Sequence, residues 1–244
     1  MTLSIAHSSA TMTGLEHLRL GRNNQDALEV READGAFIAV VTDGCSSSLR
    51  SEVGANVTAS IVADELMRFA LERSSLHEVS DRVLERLRGV ARLIASNSEG
   101  VQEIVGRSLL CSIVAVVITK TSTHIVGAGD GVYCINGSLT HVLPDANNAP
   151  NYLAYGVCPH AKRHTLEHWH ACSTEAVQWL IIGSDGLEPL ARWLREAGQD
   201  RLYTANRSWL QRRMRMEFAQ TPHAHDDATL VLVHRNEEKS PCAS

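Results

Sequence analysis

The sequence lacks the features that would mark a repeat protein or a chain of linked modules. No segment is rich in proline, glycine or serine, no run of like charge stands out, and no repeat with a period of roughly 20–50 residues occurs. A chain of 244 residues with 44% hydrophobic content can bury a full core. We therefore predict one domain over residues 1–244.

Features of nucleic-acid-binding and membrane proteins are also lacking. The net charge is −5 with both signs interspersed, whereas a nucleic-acid surface needs clustered basic residues to displace counterions. The longest apolar run, residues 109–118, is too short to span a bilayer, and the first residues show no basic start followed by an apolar core. We expect a cytoplasmic protein that binds neither nucleic acid nor a membrane.

Cysteine pairs with redox or zinc spacing are absent as well. The six cysteines are scattered with no C-x-x-C pair, and without an export signal we expect them to stay reduced and unbridged. Cys111 and Cys134 lie in apolar runs and are predicted to be small buried hydrophobic residues.

Apolar patterning predicts separate strands and helices. Strands are predicted at residues 37–42, 109–119, 123–128, 132–135, 138–143, 179–182 and 228–233. Helices are predicted at residues 52–71, 76–94, 188–197 and 209–218. Asn136-Gly137 predicts a tight hairpin turn, because both of its turn positions need positive φ.

Residues 144–171 lose this periodicity and accumulate asparagine, proline and histidine. We predict a long irregular insertion here, of the kind that usually has a function. The order of the predicted elements favours segregated helix and sheet layers, and therefore an α+β fold.

Three of the predicted strands carry an aspartate at one end. Asp43 and Asp185 follow strands and precede glycine, while Asp226 comes just before a strand. One Asp-Gly alone is usually a turn, but carboxylates that converge repel one another unless cations lie among them. Oxygen ligands select Mg²⁺ or Mn²⁺, and two such ions about 3.5–4 Å apart can activate water and stabilise phosphoryl charge. The aspartates therefore predict a divalent-metal site that hydrolyses phosphate esters.

Five short motifs follow one another along the chain. They are Asn24-Gln25-Asp26, Val41-Thr42-Asp43-Gly44, Gly129-Asp130-Gly131, Ser184-Asp185-Gly186-Leu187 and Asp226-Asp227-Ala228-Thr229-Leu230. This series resembles that of the metal-dependent type 2C protein serine/threonine phosphatases, and the Asn-Gln-Asp motif is similar to that of a bacterial branch. The resemblance implies a four-layer αββα sandwich, two antiparallel β-sheets flanked by helices, with a core at about 14–235, a flap-like insertion at about 144–171 and a C-terminal tail at 236–244.

The resemblance further implies roles around two Mg²⁺ or Mn²⁺ ions. Asp43 would bridge the ions, and the Gly44 carbonyl would contact the second one. Asp185 and Asp226 would complete the coordination of the first ion. The predicted catalytic residues are therefore Asp43, Asp185 and Asp226. Family members hydrolyse phosphoserine and phosphothreonine in proteins with a metal-activated water, which implies a phosphorylated protein substrate and an opposing serine/threonine kinase.

The remaining motif positions carry further implications. Asp26 would hold the second ion directly or through water, and Asp130 with Asp185 would form a third, weaker metal site. Gln25 stands where many members have a metal-binding glutamate, and a neutral amide oxygen is a weaker ligand for a hard dication. A contact between Gln25 and the metal is therefore left open.

The arginine that clamps the substrate phosphate in many members is displaced here. It lies five residues before the first-motif aspartate in those members, where this chain has Gly21. We predict that Arg22 binds the substrate phosphate, with Arg19 as the alternative, because a guanidinium offers a fork of donors to phosphate oxygens.

Other polar clusters allow alternative interpretations. A zinc site would draw on Cys158, His160, His164, His168, His170 and Cys172, although their spacing matches no common pattern. His164 and His168 could instead supply a general acid, and residues 147–155 are placed in the family's substrate-selecting flap. The serines of Ser46-Ser47-Ser48 lack a Gly-x-Ser-x-Gly elbow and are predicted to shape a loop.

Two rival functions stay open beside the phosphoprotein phosphatase. Gln25 and the displaced arginine allow a catalytically weak or inactive family member that acts as a phosphoprotein-binding regulator. A phosphatase for a small metabolite is the other alternative.

Overall fold

The structure is a computed structural model that describes residues 3–33, 35–72, 74–95, 100–143, 150–158, 164–222 and 224–236. Parts of the predicted insertion, at 144–149 and 159–163, lie outside the described residues, as does the predicted tail from 237 onward.

Ten strands and seven α-helices occur within the described residues. The strands are β1 (Ile5–Met12), β2 (Ala27–Ala33), β3 (Ala36–Gly44), β4 (Cys111–Ile118), β5 (Ser122–Ala128), β6 (Gly131–Ile135), β7 (Ser138–Val142), β8 (Glu167–Ser173), β9 (Trp179–Gly183) and β10 (Ala228–Arg235). The helices are α1 (Leu15–Leu20), α2 (Ser51–Glu72), α3 (Leu76–Ile94), α4 (Val101–Ile104), α5 (Ala191–Ala197), α6 (Leu202–Ala205) and α7 (Arg207–Gln220).

The strands form two antiparallel sheets of five strands each. The first has the order β1-β10-β9-β6-β7 and the second the order β2-β3-β4-β5-β8. The predicted hairpin turn between β6 and β7 is confirmed, because Asn136 and Gly137 have φ values of 49° and 92°.

The central strands β3, β4 and β9 are mostly apolar because they are buried on both faces. In β3, Phe37 and Val41 face the other sheet, while Ile38 and Val40 face the helices. The second sheet packs against α2 and α3, the first sheet packs against α5 and α7, and a third apolar cluster lies between the sheets. The predicted α+β fold, a four-layer αββα sandwich, is thereby confirmed.

Helix α3 shows why the sequence predicts its bounds so closely. The Ser75 hydroxyl accepts a hydrogen bond from the Glu78 N–H at 3.2 Å, and the Glu78 carboxylate accepts from the Ser75 N–H at 2.6 Å. This capping box fixes the start of the helix. Val79, Val83 and Leu87 form its fully buried stripe, as the apolar spacing predicts.

The predicted irregular insertion at residues 144–171 is wrong at its end. Residues from Glu167 onward form β8, the edge strand of the second sheet. The sequence hides this strand because its residues are mostly polar and exposed, so no apolar alternation marks it. Strands β1 and β2, also edge strands, escape the apolar pattern as well, because polar residues interrupt their sequences.

A second correction concerns the strand predicted at 109–119. It begins at Cys111, because residues Val105–Leu109 form a single π-helical turn. No helix among the described residues is long and apolar enough to cross a bilayer.

Candidate active site

The register of the second sheet brings two of the predicted aspartates together. Asp43, near the end of β3, lies directly opposite Ser112 on β4. Strand β5 pairs with β4 and leads into Asp130, whose carboxylate accepts a hydrogen bond from the Ser112 hydroxyl. Ser112 therefore links the neighbourhoods of Asp43 and Asp130.

The first sheet places the other two aspartates at the same end of the sandwich. Ser184 N–H donates to the Thr229 carbonyl at 3.0 Å, and Thr229 N–H donates to the Ser184 hydroxyl oxygen at 2.9 Å. Asp185 follows this contact on one chain segment, and Asp226 precedes it on the other. The pairing of β9 with β10 thus sets the two carboxylates side by side.

The first motif bridges the two sheets. The Ser184 hydroxyl donates to Asp26 Oδ2 at 2.8 Å, and Asp26 immediately precedes β2 of the other sheet. The Gly44 N–H donates to the Gln25 carbonyl at 3.2 Å. A Cβ at Gly44 would lie 2.8 Å from that oxygen and from Ser51 Cβ, so only glycine allows this approach.

These segments surround one cavity of about 510 Å³. Its acidic lining consists of Asp43, Asp130, Asp185, Glu188 and Asp226. Within the described ranges no lysine or arginine lines it, so the carboxylates face one another without a basic partner.

Burial and mutual repulsion raise the pKa of these carboxyl groups. The pKa of Asp43 is held well above its ordinary value, mainly by burial and then by the charges of Asp26 and Asp185. For Asp26, burial raises the pKa to about 8 despite the hydrogen bond from Ser184. The pKa values of Asp130 and Asp226 are raised by burial, to which the charge of Asp185 adds.

Three buried oxygens in this region accept no hydrogen bond from the described residues. They are Gln25 Oε1, Asp26 Oδ1 and Asp185 Oδ1. Unpaired buried oxygens beside several carboxylates fit hard divalent cations. Among the described residues, no three His, Cys, Asp or Glu side chains lie close enough together to bind one ion. The cavity carboxylates would therefore have to move closer together when ions bind.

The two phosphate-binding candidates both lie at the surface. Arg22 is exposed, and its Nη1 donates to the Ser46 carbonyl at 3.5 Å. Ser46 lines the cavity, which places Arg22 at its rim. Arg19 lies in the last turn of α1 and is exposed as well.

Asp227 has a different environment from its neighbour Asp226. Its side chain is buried, and it accepts hydrogen bonds from Gly14 N–H at 2.7 Å and Gln25 N–H at 2.6 Å. His17 Nδ1 lies 2.8 Å from the same carboxylate. Asp226 lines the cavity, whereas Asp227 holds the chain around it.

Several cavity residues escape the sequence motifs. Ser112 could have been found as the polar residue within the apolar run 109–118, but Glu188 and Cys45 give no comparable signal. Tyr152 and Tyr155 line the cavity from the predicted flap. Tyr152 directly precedes the short 3₁₀ segment Leu153–Val157, and its carbonyl accepts a hydrogen bond from Tyr155 N–H at 3.2 Å.

The histidine and cysteine alternatives do not come together. Cys158 packs against the cluster beside α2 and α3, whereas Cys172 packs between the sheets. His168 lies on β8, with its ring 5.4 Å from that of His124, and His164 Nδ1 lies 2.5 Å from Asn151 Oδ1. His160 lies outside the described residues.

The predicted loop serines occupy two environments. Ser46 and Ser47 line the cavity. Ser48 instead donates to the Gly106 carbonyl at 2.8 Å, which ties this loop to the π-helical turn before β4.

Comparisons with known proteins agree with this architecture. A bacterial serine phosphatase is 15% identical over 97% of this chain and 100% of its own, with a TM-score of 0.61. Stp1 from Staphylococcus aureus is 16% identical over 97% of this chain and 98% of its own, with a TM-score of 0.60. The catalytic domain of PstP in complex with two manganese ions is 16% identical over 97% and 100%, with a TM-score of 0.61.

At these identities the likeness to solved structures concerns the fold. A search of curated proteins found no match. The family model described as protein phosphatase 2C matches residues 13–230, which include all five motifs. The chain therefore belongs to the protein phosphatase 2C family, and it is a metal-dependent protein serine/threonine phosphatase by family.

Proposed function

We propose that this protein hydrolyses phosphoserine and phosphothreonine in proteins with the help of Mg²⁺ or Mn²⁺ ions held in the acidic cavity. One observation carries the proposal: four aspartates from separate segments and Glu188 line a single cavity that has no described basic lining residue. Grouped carboxylates raise one another's pKa. Cations relieve that repulsion and use the same oxygens as ligands.

The proposed ligand sets are those that the family motifs imply for these positions. Asp43 would bridge two ions, the Gly44 carbonyl would contact the second ion, and Asp185 and Asp226 would complete the coordination of the first. Asp26 would hold the second ion directly or through water, and its Oδ1 accepts no hydrogen bond from the described residues. Gln25 has a buried Oε1 that likewise lacks a described hydrogen-bond partner, and it is an additional candidate ligand. Asp130 and Asp185 would form a third site.

When bound, the ions lower the pKa of water and stabilise negative charge on the phosphoryl group. In the hydrolysis, a water oxygen would bond to phosphorus, the bond from phosphorus to the serine or threonine oxygen would break, and that oxygen would leave as the alcohol with a proton released by the attacking water. Arg22 at the rim binds the phosphate oxygens through its guanidinium. Tyr152 and Tyr155 form the wall on the flap side of the cavity.

The solved relatives support a dependence on divalent metal. PstP was crystallised with two manganese ions and RsbX with magnesium; RsbX is 14% identical over 95% of this chain and 96% of its own, with a TM-score of 0.54. A phosphoprotein substrate and an opposing serine/threonine kinase are the partners that this function requires.

Gln25 favours a second candidate function, a weak or inactive member that binds phosphoproteins. Its side chain is neutral and buried, in the segment that ends at Asp26. A site with one anionic ligand fewer binds its second ion less tightly, and a protein that held only one ion would bind phosphate without rapid turnover.

The deciding experiment measures binding and turnover on the same preparation. Calorimetry with Mn²⁺ counts the ions, and release of p-nitrophenol from its phosphate ester, with and without a chelator, tests hydrolysis. Phosphoserine and phosphothreonine peptides are then compared with a panel of phosphorylated metabolites. Metal binding without turnover would favour the phosphoprotein-binding function, and faster turnover of metabolites would favour the small-molecule phosphatase.

A further inference from the structure

Helix α7 concentrates positive charge on a chain that is acidic overall. It carries four arginines and one glutamate in 14 residues, whereas the net charge of the chain is −5. In the sequence these arginines are interrupted by apolar residues. On the helix, Leu210, Met214 and Phe218 fall on one buried face, whereas Trp209 and Met216 are exposed together with arginines.

One face of α7 is buried and the opposite face is open. The buried residues are Leu210, Met214 and Phe218. With 3.6 residues per turn, Trp209, Arg212 and Met216 project from the opposite side, flanked by Arg213. Trp209 is 46% exposed and Met216 is 53% exposed. We call Trp209, Arg212, Arg213 and Met216 the α7 surface.

The α7 surface is only partly paired within the described part of the chain. Arg213 forms an ion pair with Glu217 on the same helix. Arg212 is exposed and forms no hydrogen bond or ion pair with a described residue. The other tryptophans lie deeper: Trp179 and Trp193 are buried and Trp169 is half-buried. Trp209 therefore stands out as an exposed aromatic side chain beside a free guanidinium.

This composition matches the centre of a protein interface. Tryptophan, arginine and methionine are enriched in interfaces, and tryptophan and arginine are the usual hot spots. Two apolar side chains separated by an arginine give too narrow a face to enter a bilayer. The acidic balance of the chain opposes a nucleic-acid partner. A carboxylate beside an apolar side chain complements the α7 surface in both charge and hydrophobicity.

We propose that the α7 surface docks an acidic segment of another protein that also carries apolar residues. The helix is fixed for this purpose on the outer edge of the first sheet. Gln211 accepts a hydrogen bond from Thr11 N–H at 3.0 Å and donates one to the Thr11 carbonyl at 2.8 Å. No residue of the α7 surface lines the acidic cavity, so the docking surface is separate from the catalytic residues.

The test uses the full chain and a synthetic probe. The probe is an amphipathic peptide that combines glutamate and leucine at helical spacing, and poly-glutamate of equal length is its apolar-free control. We expect the peptide to shift the fluorescence of Trp209 to shorter wavelength and to bind in calorimetry. Trp209→Ser and Arg212→Glu should each weaken binding by about tenfold, as expected for interface hot spots.

Arg92→Glu on α3 is the matched control, since Arg92 is an exposed arginine beside the 87% exposed Leu93. It should leave peptide binding unchanged, and all three variants should keep the basal release of p-nitrophenol. Equal binding by poly-glutamate, equal weakening by Arg92→Glu, or unaltered binding by the two α7 variants would each overturn the proposal. It would also fall if phosphatidylserine vesicles or duplex DNA bound more tightly than the peptide, or if sedimentation showed a homodimer that Trp209→Ser dissociates.

Discussion

The carboxylate of Asp227 lies 2.8 Å from Nδ1 of His17, and both side chains are almost completely shielded from solvent, at 2% and 7% exposure. The same carboxylate accepts the backbone N–H groups of Gly14 and Gln25. One buried side chain thus fixes α1 and the first motif beside the loop that carries Asp226.

Replacement of Asp227 by alanine should therefore destabilise the fold. The hydrogen-bond donors that the substitution leaves unpaired are buried, and the loss of such a buried set of hydrogen bonds costs about 3–5 kcal/mol. Urea denaturation measures this change in the free energy of unfolding. Asp226→Asn is the contrasting variant, because the Asp226 side chain lines the open cavity and accepts its hydrogen bond from the adjacent Asp227 N–H, so that stability should change by less than about 0.5 kcal/mol. Equal stability of the two variants would contradict the anchoring role of Asp227.

Asp43→Asn should abolish turnover and leave the protein folded. The substitution removes a charge shared by both proposed ions, and loss of one group that stabilises transition-state charge costs on the order of 100-fold or more in rate. Release of p-nitrophenol and Mn²⁺ calorimetry measure the effect, and circular dichroism checks the fold. Glu196→Gln, an exposed carboxylate on α5, should change neither measurement. Full activity of Asp43→Asn would refute the two-ion assignment.

His234 should make the fold sensitive to mild acid. Its Nε2 lies 2.6 Å from the Gly198 carbonyl and its Nδ1 lies 2.9 Å from the Thr204 hydroxyl. Burial lowers its pKa from 6.5, the Gly198 hydrogen bond opposes this shift, and the nearby charges of Arg201 and Asp200 act in opposite directions. Below pH 6.5 the unfolded chain binds a proton that folded His234 resists, so stability falls with decreasing pH until the folded pKa is reached.

Thermal denaturation at a series of pH values below 6.5 measures this dependence. His234→Gln should flatten the stability profile in that window, while the exposed His77→Gln should leave its slope unchanged. An unaltered slope in His234→Gln would show that other groups carry the acid sensitivity.

The sequence predicts the central strands and long helices because their apolar patterns are strong. Residues 36–44 and 76–94 are examples, one buried on both faces and the other carrying a single buried stripe. The edge strand at 167–173 is invisible by the same criterion, since most of its side chains are polar and exposed and its pairing with β5 is a long-range contact. The hydroxyls of Thr123 and Thr174 form a hydrogen bond although the two residues are 51 positions apart in the sequence. Such a long-range contact leaves no pattern in the local sequence.

Asp43, Asp185 and Asp226 could likewise be chosen from the sequence, because each lies at the end of a predicted strand, whereas Asp26 and Asp130 are assigned through the resemblance of their motifs to those of the phosphatase family. The residues between them could not. Glu188 lies in a 3₁₀ turn whose course depends on tertiary packing, and Tyr152 approaches the cavity only because its segment packs against α3. The difference between Asp226 and Asp227 is also a matter of which side chain finds buried donors.

Gly186→Ala should disturb the site through its backbone. A Cβ at Gly186 would lie 1.9 Å from the Asp227 carbonyl oxygen, a distance that forces the two segments apart. We expect a loss of roughly 1–3 kcal/mol in stability, the scale of overpacking, together with weaker Mn²⁺ binding because Asp185 moves. Gly89→Ala on α3 is the control, because a Cβ at this position would have no atom within 4 Å. Alanine is more favourable than glycine inside a helix, so stability should rise by about 0.5–1 kcal/mol. An unchanged Gly186→Ala protein would rule out this close approach.

Arg22 and Arg19 can be separated by kinetics. Arg22 reaches the cavity rim through its hydrogen bond to the Ser46 carbonyl, whereas Arg19 lies one turn back on α1. If Arg22 binds the phosphate, Arg22→Ala should lower kcat/KM by about 10-fold or more, the scale of one charge-assisted hydrogen bond of about 1.5–3 kcal/mol. Arg22→Lys should restore only part of the lost kcat/KM, because a lysine ammonium cannot form the bidentate contact that a guanidinium forms with phosphate. Arg19→Ala should change kcat/KM by less than about twofold, in line with an exposed charge that forms no hydrogen bond or ion pair with a described residue. The reverse pattern would move the phosphate-binding role to Arg19, and equal, small effects of both would leave the phosphate to the metal ions alone.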